Sequence, residues 1–352
     1  MAGEVIPESE IESYFVWIPK YRYQLWDLGL YDSLTAIDES KVHEIPIIFG
    51  DYNTSDDVEG ECTTPMESGS SGNCAVGDYM THPAFLSIPS TGFWVGKFKA
   101  SIQEENIQFK PNEVMWTGMT LGNAFKQSYE YQRRLDSHLT KNTEWGAITY
   151  LTNSKFGINQ IIQLNTNTEK RTGYAANSDD GIIPSEESSP YNTEIGYTSS
   201  SSGNITGVYD LSGGVAEFVM GINYDRSGLE SREDLREIYN IEDVYPDFYE
   251  NSNFTKYYDL YYGESLQSFS KRILGDATGE MGPFGTIAIT DRQGSSWYQS
   301  YSYFVNNTDP FFIRCGPTLN VLHENNLAIH TSRMGGGLMN QSFRVVLTPM
   351  KD

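Results

Sequence analysis

Long apolar runs are missing from this sequence. No segment approaches the roughly 18 consecutive apolar residues that a membrane-spanning helix needs. Positive charge is scarce as well: 24 Lys and Arg stand against 47 Asp and Glu, for a formal net charge of −23. Nucleic-acid binding rests on concentrated Lys and Arg, so that class is excluded, and the same repulsion opposes anionic membrane surfaces. A soluble, self-repelling surface, or one that collects cations, fits this balance. Cysteine is limited to three residues with no Cys-x-x-Cys pair, which leaves no thiolate zinc site. Histidine is limited to His43, His82, His138, His323 and His330. None forms an H-x-x-x-H pair, and only His323 and His330, seven apart in a segment read as loop, are spaced to share a metal. The first residues carry Glu4, Glu8, Glu10 and Glu12 and no apolar stretch, so they lack the features of a signal peptide. A leader or anchor outside this stretch, or export by another route, is the corresponding expectation.

Aromatic and turn-forming residues are abundant instead: Tyr 24, Phe 17, Trp 6 and Gly 32 in 352 residues. Such a composition points to a loop-rich, β-containing chain, because Gly, Asn and Ser supply turns. Cys62 and Cys74 share one polar stretch, ECTTPMESGSSGNC. A disulfide between them closes a short loop, is worth roughly 3 kcal/mol on the chain-entropy model, and implies an oxidising compartment. Cys315, in FFIRCG, reads as a small buried hydrophobe.

The apolar pattern predicts strands at residues 14–25 (YFVWIPKYRYQL), 45–50 (IPIIFG) and 92–101 (GFWVGKFKAS). In the last of these, Phe93, Val95 and Lys97 fall on one face, and Gly96 suggests a close backbone approach. Helices are predicted over 120–135, with Leu121, Phe125 and Tyr129 four apart, and over 143–154. In the second, Thr143 is the expected cap and Trp145, Ile148, Thr149 and Leu151 the buried face. A final strand is expected at 342–347, at the end of an aromatic, Gly/Asn-rich C-terminal third that includes 295–305 and the apolar segment 311–316. Residues 1–13 read as a disordered or trimmed segment and 14–352 as one domain, with surface insertions near 51–82, 174–203 and 223–255. Serines 199–202 are the only low-complexity run. In VYDLSGGVAEF (208–218), Asp210 and Ser212 favour a turn and Gly213–Gly214 permit positive φ. Glu217, set among apolar neighbours, needs a partner, either as a hydrogen-bond hub or as a calcium ligand.

Several segments in order resemble the formylglycine-generating, sulfatase-modifying family, whose members share a variant of the C-type-lectin fold. FVWIP (15–19) resembles its opening strand and FWVGKF (93–98) its "aromatic, apolar, Gly-Lys-Tyr" strand. LTKNTEWGAITY (139–150) resembles its "LPTEAEWEYAA" helix through Thr140, Glu144, Trp145 and Ala147. VYDLSGGVAEF resembles its "YDMSGNVWEW" turn, and FRV (343–345) its closing "GFR" strand. The resemblance implies an α+β, C-type-lectin-like fold, irregular and loop-rich, with short antiparallel sheets and two main helices. The combination of motifs is similar to surface or prophage-type proteins of Gram-positive bacteria.

The enzymes of that family use two cysteines a few residues apart after an "RGGS" turn. The comparable turn here is IRCGPT (313–318), and no cysteine follows it within 320–340. A copper-binding thiol pair is therefore absent, and the resemblance implies a fold that binds rather than catalyses. At the family's calcium-associated turn, Gly214 replaces an asparagine, leaving Asp210, Glu217 and backbone carbonyls as calcium donors. The segment before the final strand, residues 318–341, usually forms the ligand face in this fold. The expected ligand-binding residues are Asn320, His323, Asn325, Asn326, His330 and Arg333, with Trp297, Tyr298 and Tyr301 just upstream. A glycan or protein on a cell surface is the expected partner, the setting is extracellular, cell-surface or virion, and homo-oligomers are allowed. The alternatives are a structural subunit of a surface filament or phage particle, and a metal-dependent oxidase-like enzyme. That enzyme would need clustered carboxylates, for which Asp276, Glu280 and Asp291 are candidates.

Overall fold

Pro19 divides the aromatic N-terminal run between two sheets. In the computed structural model, which describes residues 6–25, 44–50, 61–62, 69–88, 91–159, 170–172, 174–175, 188–213, 215–223, 257–265, 268–278, 288–289, 292–293, 304–314, 329–332 and 341–348, Phe15–Pro19 and Tyr21–Gln24 are separate strands. The first belongs to a four-stranded antiparallel sheet in the order Phe15–Pro19, Gly92–Gly96, Val345–Leu347, His138–Leu139. The second pairs with Ile47–Phe49 and Tyr79–Thr81, and Glu61–Cys62 extends that sheet. The Phe109 ring lies on Gly96, the last residue of its strand; a Cβ there would meet that ring at 2.7 Å. The continuation, Ser101–Gln103, pairs with Asn106–Gln108 and Val114–Met115 in another small sheet, so the expected 92–101 strand is two pieces.

Among the described residues the longest strand is Ala216–Asn223, buried along its whole length. Phe311–Arg314 runs antiparallel to it, while Asp259–Tyr261 and Gln341–Phe343 run parallel; Ile329–Ser332 pairs with the outer side of Phe311–Arg314. Burial on both faces explains its lack of clean alternation. Val219 joins one apolar cluster with Trp145, Phe93 and Val346; Phe218, Met220 and Ile222 join a second with Phe125, Leu139 and Val345. The two clusters thus lie on opposite faces of shared strands. The chain is α+β, with few helices and several short, mainly antiparallel sheets. No helix among the described residues is long and apolar enough to cross a membrane.

Two helices of 11 residues carry most of the helical structure. Helix α1, Leu121–Tyr131, starts where the Thr120 side chain accepts from Asn123 N–H at 3.2 Å, and buries Leu121, Ala124 and Phe125. It stops short of residue 135: Gln132 leaves helical geometry, and Arg133–Leu135 is a separate 3₁₀ turn. Helix α2, Asn142–Thr152, departs further from expectation. Its cap is not Thr143; the Glu144 carboxylate reaches back to the Lys141 N–H at 2.8 Å, the return half of a capping box. Nor is it amphipathic, since all of its residues except Leu151 are buried.

Two expected surface segments are folded in. Serines 199–201 are buried, and the segment pairs with residues 208–210 through Ser201 N–H to Val208 C=O (2.9 Å) and Asp210 N–H to Ser199 C=O (3.0 Å). Within the expected disordered or trimmed residues 1–13, Ser13 bridges to Phe109 and accepts from the Tyr131 hydroxyl at 3.0 Å. Cys62 and Cys74 form a disulfide with their Cα atoms 4.9 Å apart, as the polar loop between them suggested.

Candidate functional site

The first turn of α2 sends four consecutive side chains into four different partners. Asn142 donates to the Tyr261 hydroxyl at 2.6 Å and accepts from Arg314 Nε at 2.8 Å. Thr143 gives Asp259 both its N–H (2.6 Å) and its hydroxyl (3.1 Å). Glu144 pairs with His138 at 3.1 Å. The Trp145 indole donates to Glu217 at 2.9 Å while its ring lies 4.4 Å from the Arg314 guanidinium carbon.

Behind this turn the network closes. Lys141 stands 3.5 Å from Asp259 and donates to the Ser87 hydroxyl at 2.8 Å. The Tyr261 hydroxyl donates to Asp276 at 2.8 Å, and Asp276 also accepts the N–H groups of Ile273 and Thr278. Arg314 donates to the carbonyls of Asp276 and Ala277. Glu217 offers its second oxygen to Arg344 Nε at 2.8 Å, and Arg344 also donates to the carbonyls of Gly96, Lys97 and Tyr209.

The charges follow from these contacts. Burial would depress His138, but the Glu144 charge and hydrogen bond beside it raise its pKa above the ordinary value. Burial would raise Glu144, but His138 and Lys141 pull it below its ordinary value. Asp259 is raised by burial against the pull of Lys141. His82, donating from Nε2 to Gly275 C=O at 2.8 Å and accepting from Ala84 N–H at Nδ1, is driven by burial to about 3 and stays neutral. Lys141, Glu144, Asp276, Arg314 and Arg344 are all closed to solvent. The network ties α2 to the strands around it, with these side chains closed to solvent.

Of the expected residues, Glu217 takes the hub role, with both carboxylate oxygens engaged by Trp145 and Arg344. Asp210 is buried in the turn with φ 59°, and Gly213 has φ 102°. That turn is pinned by the buried Lys99, whose amine donates to Gly213 C=O at 2.9 Å and to Val215 C=O. Among the described residues, no group of three or more His, Cys, Asp and Glu side chains is placed to hold a metal. His330 is not in a loop; its backbone pairs with Ile313 in the sheet. Trp297, Tyr298, Tyr301, Asn320, His323, Asn325, Asn326 and Arg333 lie outside the described residues, as do Cys315, Glu280 and Asp291.

An open cleft of about 640 Å³ lies beside the Phe15–Pro19 strand, a feature the sequence reading missed. The strand forms one wall, residues 148–157 another, and the 201–207 turn a third. Trp17, Phe49 and Phe156 give it aromatic surface, and Phe156 and Ile205 are 44% and 41% exposed. Lys97 is the one charged residue of the lining among the described residues. Its amine donates to Ile205 C=O and sits 5.7–6.0 Å from the ring centroids of Phe98, Tyr191 and Tyr209. Burial lowers its pKa. Trp17 also meets the Trp94 ring, with centroids 5.2 Å apart and Trp94 38% exposed. No protein-family model matches the chain, and no curated protein sequence matches it either.

Proposed function

We propose that this chain is a non-catalytic recognition domain of the C-type-lectin-like, formylglycine-generating-enzyme-like class, acting outside the cell or on a virion and binding a glycan or protein ligand. The aromatic cleft beside Phe15–Pro19 carries this reading. Its described lining is concave, mostly apolar and carries one cation, Lys97, which is the make-up of a binding site. The buried ion pairs His138–Glu144, Lys141–Asp259 and Arg344–Glu217 contribute no residue to its lining. The Cys62–Cys74 bridge supports an oxidising setting. The segment 318–341 remains a proposed second contact surface, and calcium at the Asp210 turn a proposed aid to it.

A glycan and cell-surface binding screen, run with and without a calcium chelator, tests the proposal. Saturable binding to a defined surface component is the expected result, and loss on chelation would add calcium to the site. Turnover of a Cys-x-Pro-x-Arg peptide to formylglycine would overturn the non-catalytic reading. Self-assembly into filaments without any surface ligand would favour a structural subunit instead.

A further inference from the structure

The register of Phe15–Pro19 fixes which of its backbone groups face outward. Lys97 N–H donates to Tyr14 C=O at 2.9 Å, and Lys20 N–H donates to Thr91 C=O at 2.7 Å. With Val16 opposite Val95 and Ile18 opposite Phe93, the even-numbered residues therefore hydrogen-bond toward Gly92–Gly96. Phe15 and Trp17 turn their N–H and C=O groups the other way. Among the described residues no strand pairs with that side; Phe15–Pro19 is the edge of its sheet. The cleft runs along this edge, since all of residues 14–19 line it.

An unpaired edge beside an apolar cleft is a template for a further strand. Pro19, which has no N–H, ends the template at one end. At the other stands Lys97, opposite Tyr14, with the 201–207 turn tied to its amine through Ile205 C=O. Among the described residues no carboxylate pairs with that amine and no acidic residue lines the cleft, although the chain as a whole has a charge of −23. A strand added antiparallel to Phe15–Pro19 has its C-terminal end at Lys97.

We propose that the cleft receives the C-terminal segment of a partner protein, an extended peptide that adds antiparallel to Phe15–Pro19 and sets its terminal carboxylate on Lys97. Phe15 and Trp17 supply the backbone ladder. Apolar side chains at alternate peptide positions enter between Trp17, Phe49 and Phe156. The proposal rests on the recognition reading and narrows it to one ligand class.

The test is a heptapeptide pool with free C-termini and apolar residues at alternate positions, screened beside the same pool with amidated C-termini. Enrichment from the free-acid pool alone is expected. With an enriched peptide bound, hydrogen exchange at the Phe15 and Trp17 amides should slow, while Val16 and Ile18, already bonded inside the sheet, should not change. Lys97→Met should bring acid and amide peptides to equal affinity. Trp17→Pro, which removes an outward N–H, should bind about tenfold more weakly than Trp17→Ala, which keeps it. Exchange in the unsubstituted protein decides the matter if Trp17→Pro does not fold. No enrichment, equal enrichment of both pools, or unchanged exchange at Phe15 and Trp17 would overturn the proposal. Surface binding in the glycan and cell screen would then still stand for the broader reading, so the two failures are distinguishable.

Discussion

Arg344 donates from Nε to Glu217 at 2.8 Å, with both side chains closed to solvent, and so fastens the final sheet segment to the strand Ala216–Asn223. The same guanidinium reaches the carbonyls of Gly96, Lys97 and Tyr209, and the same carboxylate takes the Trp145 indole proton. Removing one partner strands a buried charge. Arg344→Met is expected to cost about 3–5 kcal/mol. Glu217→Gln, which keeps an acceptor for Trp145, is expected to cost about 1–3 kcal/mol. Urea unfolding of the single and double variants measures this, and the double variant should lose less than the sum.

Gly146 lies in the middle of α2, where alanine ordinarily stabilises a helix by about 1 kcal/mol. Here a Cβ would meet Gly275 C=O at 2.2 Å and the Asp276 backbone at 2.8 Å. Backbone cannot swing aside as a side chain can. Gly146→Ala is therefore expected to lower the thermal midpoint, against its propensity. An unchanged or higher midpoint would show that the 275–276 segment moves freely.

The Cys62–Cys74 bridge ties together residues 12 apart. Peptide mapping without reductant should recover these two cysteines linked. Replacing both with serine should cost about 2–4 kcal/mol in chemical denaturation.

Two buried histidines pull stability in opposite directions with pH. His82 stays neutral when folded down to about 3, whereas the unfolded chain takes up its proton below the ordinary 6.5. Stability therefore declines as pH falls from 6.5 toward 3. His138 is raised, so its contribution is full below 6.5 and is lost as pH climbs through the raised value. Glu144 is lowered, so its contribution is full above 4.5 and is lost as pH drops through the lowered value. The His138–Glu144 pair thus contributes most between 4.5 and 6.5. His138→Gln should lose more stability at about pH 5.5 than at about pH 8.5. His82→Asn, less stable at neutrality, should show a shallower decline below pH 6.5. Midpoints measured across that range separate the two.

The parts of this architecture that sequence revealed were those where one residue contradicts its surroundings. Glu217 among Val215, Phe218 and Val219 announced a buried partner, and Gly96 inside an aromatic strand announced a close approach, made by the Phe109 ring and not by another backbone. Asp259 in YYDLYYG and Arg314 in FFIRCG carry the same signal, a lone charge among aromatics, but their partners lie 116 and 172 residues away and no local pattern names them. Helix α2 has no solvent face because its polar side chains are buried as well: Thr152 and Asn153, outside the expected buried face, bond to backbone carbonyls within the helix, as Thr149 does. The cleft was invisible because a free strand edge is a property of sheet order, which the sequence of one strand does not contain.

That sheet order has a mechanical side. Trp17 and Leu347 flank Trp94 from its two sides, so the first strand and the last run in the same direction along one middle strand. Traction applied through residue 14 at one side and residue 348 at the other drags them oppositely along their common axis. Their rungs on Gly92–Gly96 are then loaded together in shear, not opened one after another.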